Sequence, residues 1–144
     1  MNLLFISLSF VISFYFRPTE PKCHKNTVVF QNNLTISHSI LKIHCKSRSD
    51  DLGYHFLKFK DPTYNFSFHD HFLLTTRFKC ILWKGAKLEY HKNFTAYEGD
   101  EASPRGRCGG LYTWEARDDA IYLSKKGVIE QLMYSWIKDY YLFN

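Results

Sequence analysis

The chain lacks the short motifs that mark most enzyme classes. There is no G-x-S-x-G, no H-E-x-x-H, no Gly-rich phosphate loop and no dinucleotide fingerprint, so hydrolase and nucleotide-binding readings lose their usual support. None of its four cysteines forms a C-x-x-C pair, which disfavours a zinc ribbon or a thioredoxin-type site. No internal repeat, low-complexity tract or Pro/Gly linker marks a second domain, and 144 residues are one domain's worth of sequence. No apolar run approaches the roughly 20 residues needed to cross a bilayer, so no stable membrane insertion is expected. With only two Met and four Pro, the apolar content must come from elsewhere.

It comes from rings. Thirteen Phe, ten Tyr and three Trp make the chain 18% aromatic, a bias that favours strands because flat rings pack well on a pleated surface. The net charge of +5 suits an acidic partner: nucleic acid, an acidic cell-wall polymer or an anionic surface. From Leu3 to Phe16 no residue is charged, and this run reads as a secretory signal peptide without the usual cationic start. Val11 and Ser13 suit the −3 and −1 positions for a cut before Phe14, and a later cut near Thr19 is also open. Residues 1–21 are therefore expected to be the signal peptide and a short N-terminal segment, and residues 22–144 the folded domain. Secretion makes nucleic acid an unsuitable partner and gives the sequons at Asn33, Asn65 and Asn93 meaning as glycan acceptors. Cys23, Cys45, Cys80 and Cys108, an even number in an oxidising compartment, read as two disulfides.

After Pro21 the chain alternates in short segments. Between Tyr64 and Phe72 the residues Tyr64, Phe66, Phe68 and Phe72 share one face and Asn65, Ser67, His69 and His71 the other, a period of two that predicts a half-buried strand. The next segment turns Thr76, Phe78, Cys80 and Leu82 inward and Arg77 and Lys79 outward. Strands are predicted at 26–32, 40–46, 54–60, 64–72, 76–83, 88–97, 111–116 and 120–124. Eight strands at roughly ten-residue spacing describe a single-domain, disulfide-stapled antiparallel β-sandwich or small barrel. The C-terminal segment conflicts with this, because Ile129, Leu132, Met133, Trp136, Ile137 and Tyr140 recur at helical intervals.

Few constellations suit chemistry. His69 and His71, two apart on a predicted strand, would point the same way and could share a metal, and Asp70 between them could assist acid-base work; no third ligand can be assigned, and a solvated polar face is the preferred reading. Asp50 and Asp51 before Gly53 lack the spaced carboxylates of a calcium loop and read as a turn. Lys58-Phe59-Lys60 and Arg77-Phe78-Lys79 interleave bases with rings, as single-strand-binding faces do, but strand alternation produces the same pattern. No cofactor is implied.

The stretch His44-Cys45-Lys46-Ser47 followed by Asp50-Asp51-Leu52-Gly53 resembles the hallmark of the plant self-incompatibility protein family, the stigma-secreted pollen-rejection ligands and their homologues. Val28-x-Phe30-x-Asn32-x-Leu34 is similar to that family's first strand, Phe78-x-Cys80-x-x-Trp83 to its central strand, and Cys108 with Trp114 to its C-terminal region. The resemblance implies a small secreted β-sandwich without catalytic residues, acting as a ligand or secreted interaction protein in plant tissue, and a cell-surface receptor protein is the expected partner. It also implies a final short strand near Leu132 to Trp136, and over that segment the strand is preferred to the helix.

The family's usual cysteine two residues before the tryptophan is here Tyr112, while Cys23 is additional. First-to-fourth and second-to-third pairing in the family would then leave Cys45 without its usual partner and keep Cys80 with Cys108. For Cys23 with Cys45 a register argument is available: in a hairpin joining 26–32 to 40–46, positions summing to about 68 face each other, and these two cysteines meet that condition. The expected pairs are thus Cys80–Cys108 and Cys23–Cys45. Recognition is expected on loops. The candidates are the 98–107 connection, with Asp100 and Glu101 followed by Arg105 and Arg107, and the turn carrying Asp50 and Asp51. The alternatives to a ligand are a secreted enzyme or metal protein using His69 and His71, and a module that binds acidic cell-wall polysaccharide.

Overall fold

A computed structural model of the chain describes residues 22–71, 75–100, 107–126 and 128–140. The predicted signal peptide lies outside the described residues. Among them are ten strands and no helix: β1 (Asn26–Asn33), β2 (Leu41–Lys46), β3 (Asp51–Leu57), β4 (Tyr64–Phe68), β5 (Arg77–Lys84), β6 (Tyr90–Glu98), β7 (Leu111–Arg117), β8 (Ala120–Lys125), β9 (Gln131–Ser135) and β10 (Ile137–Lys138). They form two five-stranded sheets, ordered β4-β1-β7-β8-β9 and β10-β6-β5-β2-β3. The all-β sandwich stands, and the short strand expected near Leu132 to Trp136 is present as β9. Two corrections apply: a further two-residue strand, β10, follows it, and β1 runs parallel to β7, pairing Thr27 with Leu111 through Asn33 with Arg117.

Alternation builds the core. Val28, Phe30, Trp114, Ala116, Ile121 and Leu123 from one sheet face Leu41, Ile43, Phe78, Cys80, Leu82 and Phe94 from the other, side chains interleaving between pleated layers about 10 Å apart. The motif Val28-x-Phe30-x-Asn32-x-Leu34 is the inward face of β1 and the turn after it. The Asn32 side chain is buried but donates to the Leu57 and Ser39 carbonyls at 2.8 and 3.0 Å and accepts from the Leu34 amide at 3.1 Å. Tyr64, Phe66 and Phe68 turn inward from β4 as their period of two predicts, with Asn65 and Ser67 exposed.

The helical spacing after Ile129 misleads. Ile129, Leu132 and Tyr140 are exposed, whereas Tyr134 and Trp136, two apart, pack inward. Tyr134 lies against Phe94 and Trp114, and the Trp136 indole donates to the Arg117 carbonyl at 2.8 Å. Burial of alternate rings decides the segment in favour of an edge strand.

The expected disulfide pairs are also corrected. Cys45 bonds Cys80, and Cys23 bonds Cys108. The hairpin register failed because β1 and β2 belong to opposite sheets. Cys45 and Cys80 instead face each other directly across β2 and β5, with Cα atoms 4.1 Å apart. The parallel β1–β7 ladder, continued backwards from Thr27–Leu111, brings Cys23 beside Cys108. Tyr112 fills its own place with an edge-on contact to Tyr97, ring centroids 5.1 Å apart.

Candidate functional site

Three of the connections that lie at one end of the sandwich concern the predicted site residues. β1, β5 and β7 begin there and β2, β4 and β6 end there, as the registers Asn26–Phe68, Lys46–Lys79 and Arg77–Glu98 require. The β2–β3 turn and two of the crossovers between the sheets, β4 to β5 and β6 to β7, therefore lie together. Sequence reasoning treats the Asp50–Asp51 turn and the 98–107 connection as competing sites; the fold places them at the same end.

A buried polar knot holds the crossovers. The Asn26 side chain, fully buried, donates to the Arg107 carbonyl at 2.8 Å, lies 3.2 Å from the Tyr97 hydroxyl and 3.4 Å from Asp70 Oδ1, and accepts from the Gly110 amide at 2.9 Å. Asp70 also accepts from the Tyr97 hydroxyl at 2.7 Å and from the Arg107 amide at 2.8 Å. Tyr97 reaches the knot because a bulge opposite Phe78–Lys79 turns consecutive residues Ala96 and Tyr97 inward, the re-aiming that bulges perform. Burial, reinforced by the bond to Asp70, pushes the Tyr97 phenol well above its ordinary range. The Cys23–Cys108 bond, the Gly109 amide on the His24 carbonyl at 2.9 Å and the Thr27 amide on the Gly110 carbonyl at 2.8 Å complete the anchorage. Gly110 has no room for a side chain, since a Cβ would stand 2.7 Å from the Tyr112 ring.

His69 and His71 gain no strand geometry from this arrangement. β4 ends at Phe68, so the alternation that would aim both imidazoles the same way stops before them. His69 is exposed, the His71 amide donates to Thr76 Oγ1 at 2.7 Å, and the carboxylate between them belongs to the knot. Sequence reasoning missed Asn26 and Tyr97 because nothing local distinguishes a knot asparagine from a turn asparagine. Asp70 was visible only as a companion to histidines.

On the facing sheet, the Ser47 amide donates to the Asp50 carbonyl at 2.8 Å and the Asp50 amide to Ser47 Oγ at 3.1 Å. Asp51 is exposed yet engaged: its Oδ1 accepts from the Gly53 amide at 2.9 Å and meets His44 Nε2 at 2.7 Å. Those two bonds, the Gly53 amide first, hold its carboxyl below the usual range. Gly53 sits at φ +74°, the left-handed geometry of a glycine bulge, and the β2–β3 register shifts between His44 and Lys46. The family-like Asp51-Leu52-Gly53 stretch is thus the chemistry of that bulge, and Asp50 is the acid left facing outward. Of the other loop candidates, Asp100 is exposed and Arg107 is tethered by its backbone with its guanidinium 3.4 Å from the Tyr112 hydroxyl. Glu101 and Arg105 lie outside the described residues. The sequon asparagines Asn65 and Asn93 are exposed on outer strand faces, while the half-buried Asn33 amide donates to Glu115.

Residues 27–136 match the family model for plant self-incompatibility protein S1. S-protein homolog 11 of Arabidopsis thaliana is 42% identical over 114 residues, covering 78% of this chain and 77% of that protein. S-protein homolog 8 of the same plant is 40% identical over 119 residues, covering 78% and 81%. A solved structure, described as that of SPH (self-incompatibility protein homologue) proteins, a widespread family of small, highly stable, secreted proteins from plants, matches with a TM-score of 0.62 and 27% identity over 81% of this chain and 97% of that one.

Proposed function

The chain belongs to the plant self-incompatibility protein S1 family, and from that premise we propose that it is a secreted, non-enzymatic ligand that engages a cell-surface receptor protein through the loops at the crossover end of its sandwich. The observation that carries this reading is the anchorage of that end. A disulfide and a buried polar knot grip the β6–β7 connection at its return, and a second disulfide at Cys45–Cys80 stands next to the Ser47–Asp50 turn. Loops held at their roots present side chains with less ordering left to do on binding, which is how preorganisation raises affinity. A mixed-charge loop on such a base selects partners by charge complementarity.

The test is charge reversal at Asp100, Glu101, Arg105 and Arg107, beside a separate Asp50→Lys variant. Secretion and thermal unfolding stay as in the native protein, because Asp50, Asp100 and Arg107 are exposed, while saturable binding to target cells weakens by about tenfold or more, the scale of one lost charge-assisted contact. Native binding by both variants overturns the loop assignment.

A further inference from the structure

The outer face of the β10-β6-β5-β2-β3 sheet carries a row of rings and cations that neither the core nor the loops use. Across three strands, Phe56 of β3, Lys42 of β2 and Trp83 of β5 stand side by side, and in the next row Tyr54 stands beside His44 and Ile81. The Lys42 ammonium lies 4.5 Å from the Tyr54 ring centre and 4.7 Å from that of Trp83. His44 lies against Tyr54 at 4.3 Å between ring centres. Tyr54 and Phe56 are each 57% exposed. One row further along, Lys46 directly opposes Lys79, and a cleft of about 430 Å³ opens there between Lys46, Ser47, Arg48, Thr75, Arg77 and Lys79.

Two like charges facing each other across a ladder destabilise a sheet, so the Lys46–Lys79 juxtaposition does not favour folding, although Lys46 also stands opposite Asp51 across the β2–β3 ladder. Among the described residues no ion pair uses Lys46, Arg48 or Lys79. Of the acids nearby, Asp51 bonds His44 and Glu98 bonds Arg77, while Asp50 faces outward from the turn. From Lys42 to Lys46 the track runs roughly 13 Å at a strand's rise per residue, long enough for a few units of an extended polymer, and the turn carrying Arg48 lies beyond it.

We propose that this face is a binding site for an acidic polysaccharide, a polyuronate. Each uronate unit offers a ring face of C–H bonds and one carboxylate. The C–H face lies on the Tyr54 and Trp83 rings around the Lys42 ammonium, and carboxylates further along the chain meet Lys46, Lys79 and Arg48. A bilayer fits less well, because Trp83 is half-buried in the sheet and does not project. The track abuts the loop surface proposed above at the Ser47–Asp50 turn, which carries Arg48, but its rings and lysines stand on the sheet face and do not depend on that reading. Binding the extracellular matrix through a sheet face leaves the 98–107 connection free for a receptor.

The experiment measures binding of a soluble oligogalacturonate to the mature secreted protein, and to its Asn93→Gln form, because a glycan at Asn93 would stand on the same face beside Ile81. Lys46→Gln with Lys79→Gln weakens binding about tenfold or more and flattens its salt dependence, without lowering thermal stability. Tyr54→Ala weakens binding severalfold and leaves the salt dependence as it was. Carboxyl-reduced oligomer does not bind, and the charge-reversed loop variant binds normally. The proposal is overturned by native affinity in the lysine and tyrosine variants, by equal binding of the carboxyl-reduced oligomer, or by tighter binding of phosphatidylserine vesicles or single-stranded oligonucleotide at the same ionic strength.

Discussion

Replacing Asn26 by alanine tests how the crossover end is held. The amide makes two short bonds to backbone, donating to Arg107 at 2.8 Å and accepting from Gly110 at 2.9 Å, and two longer ones to Tyr97 and Asp70. Truncation leaves the longer partners satisfied, since Tyr97 and Asp70 keep their mutual 2.7 Å bond. It strands the Arg107 carbonyl and the Gly110 amide, at about 1–3 kcal/mol each. Water reaches this end of the sandwich more easily than the core, so the total falls near 3 kcal/mol. For a domain of this size that lowers the melting temperature by about 12 °C, at roughly 4 °C per kcal/mol. Differential scanning calorimetry at neutral pH reads the shift. Asn26→Asp sharpens the test: it keeps the shape but turns an acceptor toward Asp70 and the Arg107 carbonyl, so it destabilises more than alanine at pH 7 and recovers relative to alanine as acid neutralises the added carboxyl. A drop of less than about 3 °C for Asn26→Ala, or no pH-dependent difference between the two variants, refutes the knot as the holder of this end.

Peptide mapping without reduction recovers Cys23 joined to Cys108 and Cys45 joined to Cys80. By loop length, with separations of 85 and 35 residues, double alanine replacement of either pair lowers stability by about 4 kcal/mol, slightly more for Cys23–Cys108; recovery of Cys23 linked to Cys45 refutes the fold's assignment. Acid unfolds the protein through carboxylates whose pKa values are lowered in the fold. Asp51 is lowered first by the Gly53 amide. At Asp118 burial works in the raising direction but is outweighed by the hydrogen bonds from Ser37 and Ile36. Because these folded values lie below the unfolded ones, the stability they contribute is complete above about pH 4 and is lost as pH falls through the folded values. Melting temperature therefore drops below about pH 4, Asp118→Asn shows a shallower acid limb, and a melting temperature that rises on acidification contradicts the assignment.

Where a residue's role is set by its immediate neighbours, the sequence discloses it. Tyr64, Phe66 and Phe68 announce a half-buried strand, and Phe78, Cys80 and Leu82 another, because alternation is a local property of the chain. Pairing between distant strands leaves no such trace. Nothing near Cys23 says that β1 will lie parallel to β7, and an adjacent-hairpin assumption sends it to Cys45. Asp51 looks like half of a solvated acid pair until the bulge at Gly53 draws its carboxylate to His44. Trp136 fits a helical stripe and an alternating strand alike, and only the packing of Tyr134 on Trp114 decides between them. The loop candidates were recognisable by charge, but their meeting at one end depends on two crossovers whose direction is a property of the whole topology.

The parallel pairing of β1 with β7 bears on how the chain is oxidised as it is made. Cysteines emerge in the order Cys23, Cys45, Cys80, Cys108, so Cys23 meets Cys45 long before its own partner exists. The sheet that holds β2, β3, β5 and β6 is assembled from neighbouring stretches of chain and can close its Cys45–Cys80 bond early, with little loop entropy to overcome. In the other sheet β1 must wait for β7. A Cys23–Cys45 bond formed early would have to be undone by thiol exchange before β7 could bring Cys108 to Cys23. Proper maturation rests on keeping the first cysteine reduced, or exchangeable, until nearly the last strand has arrived.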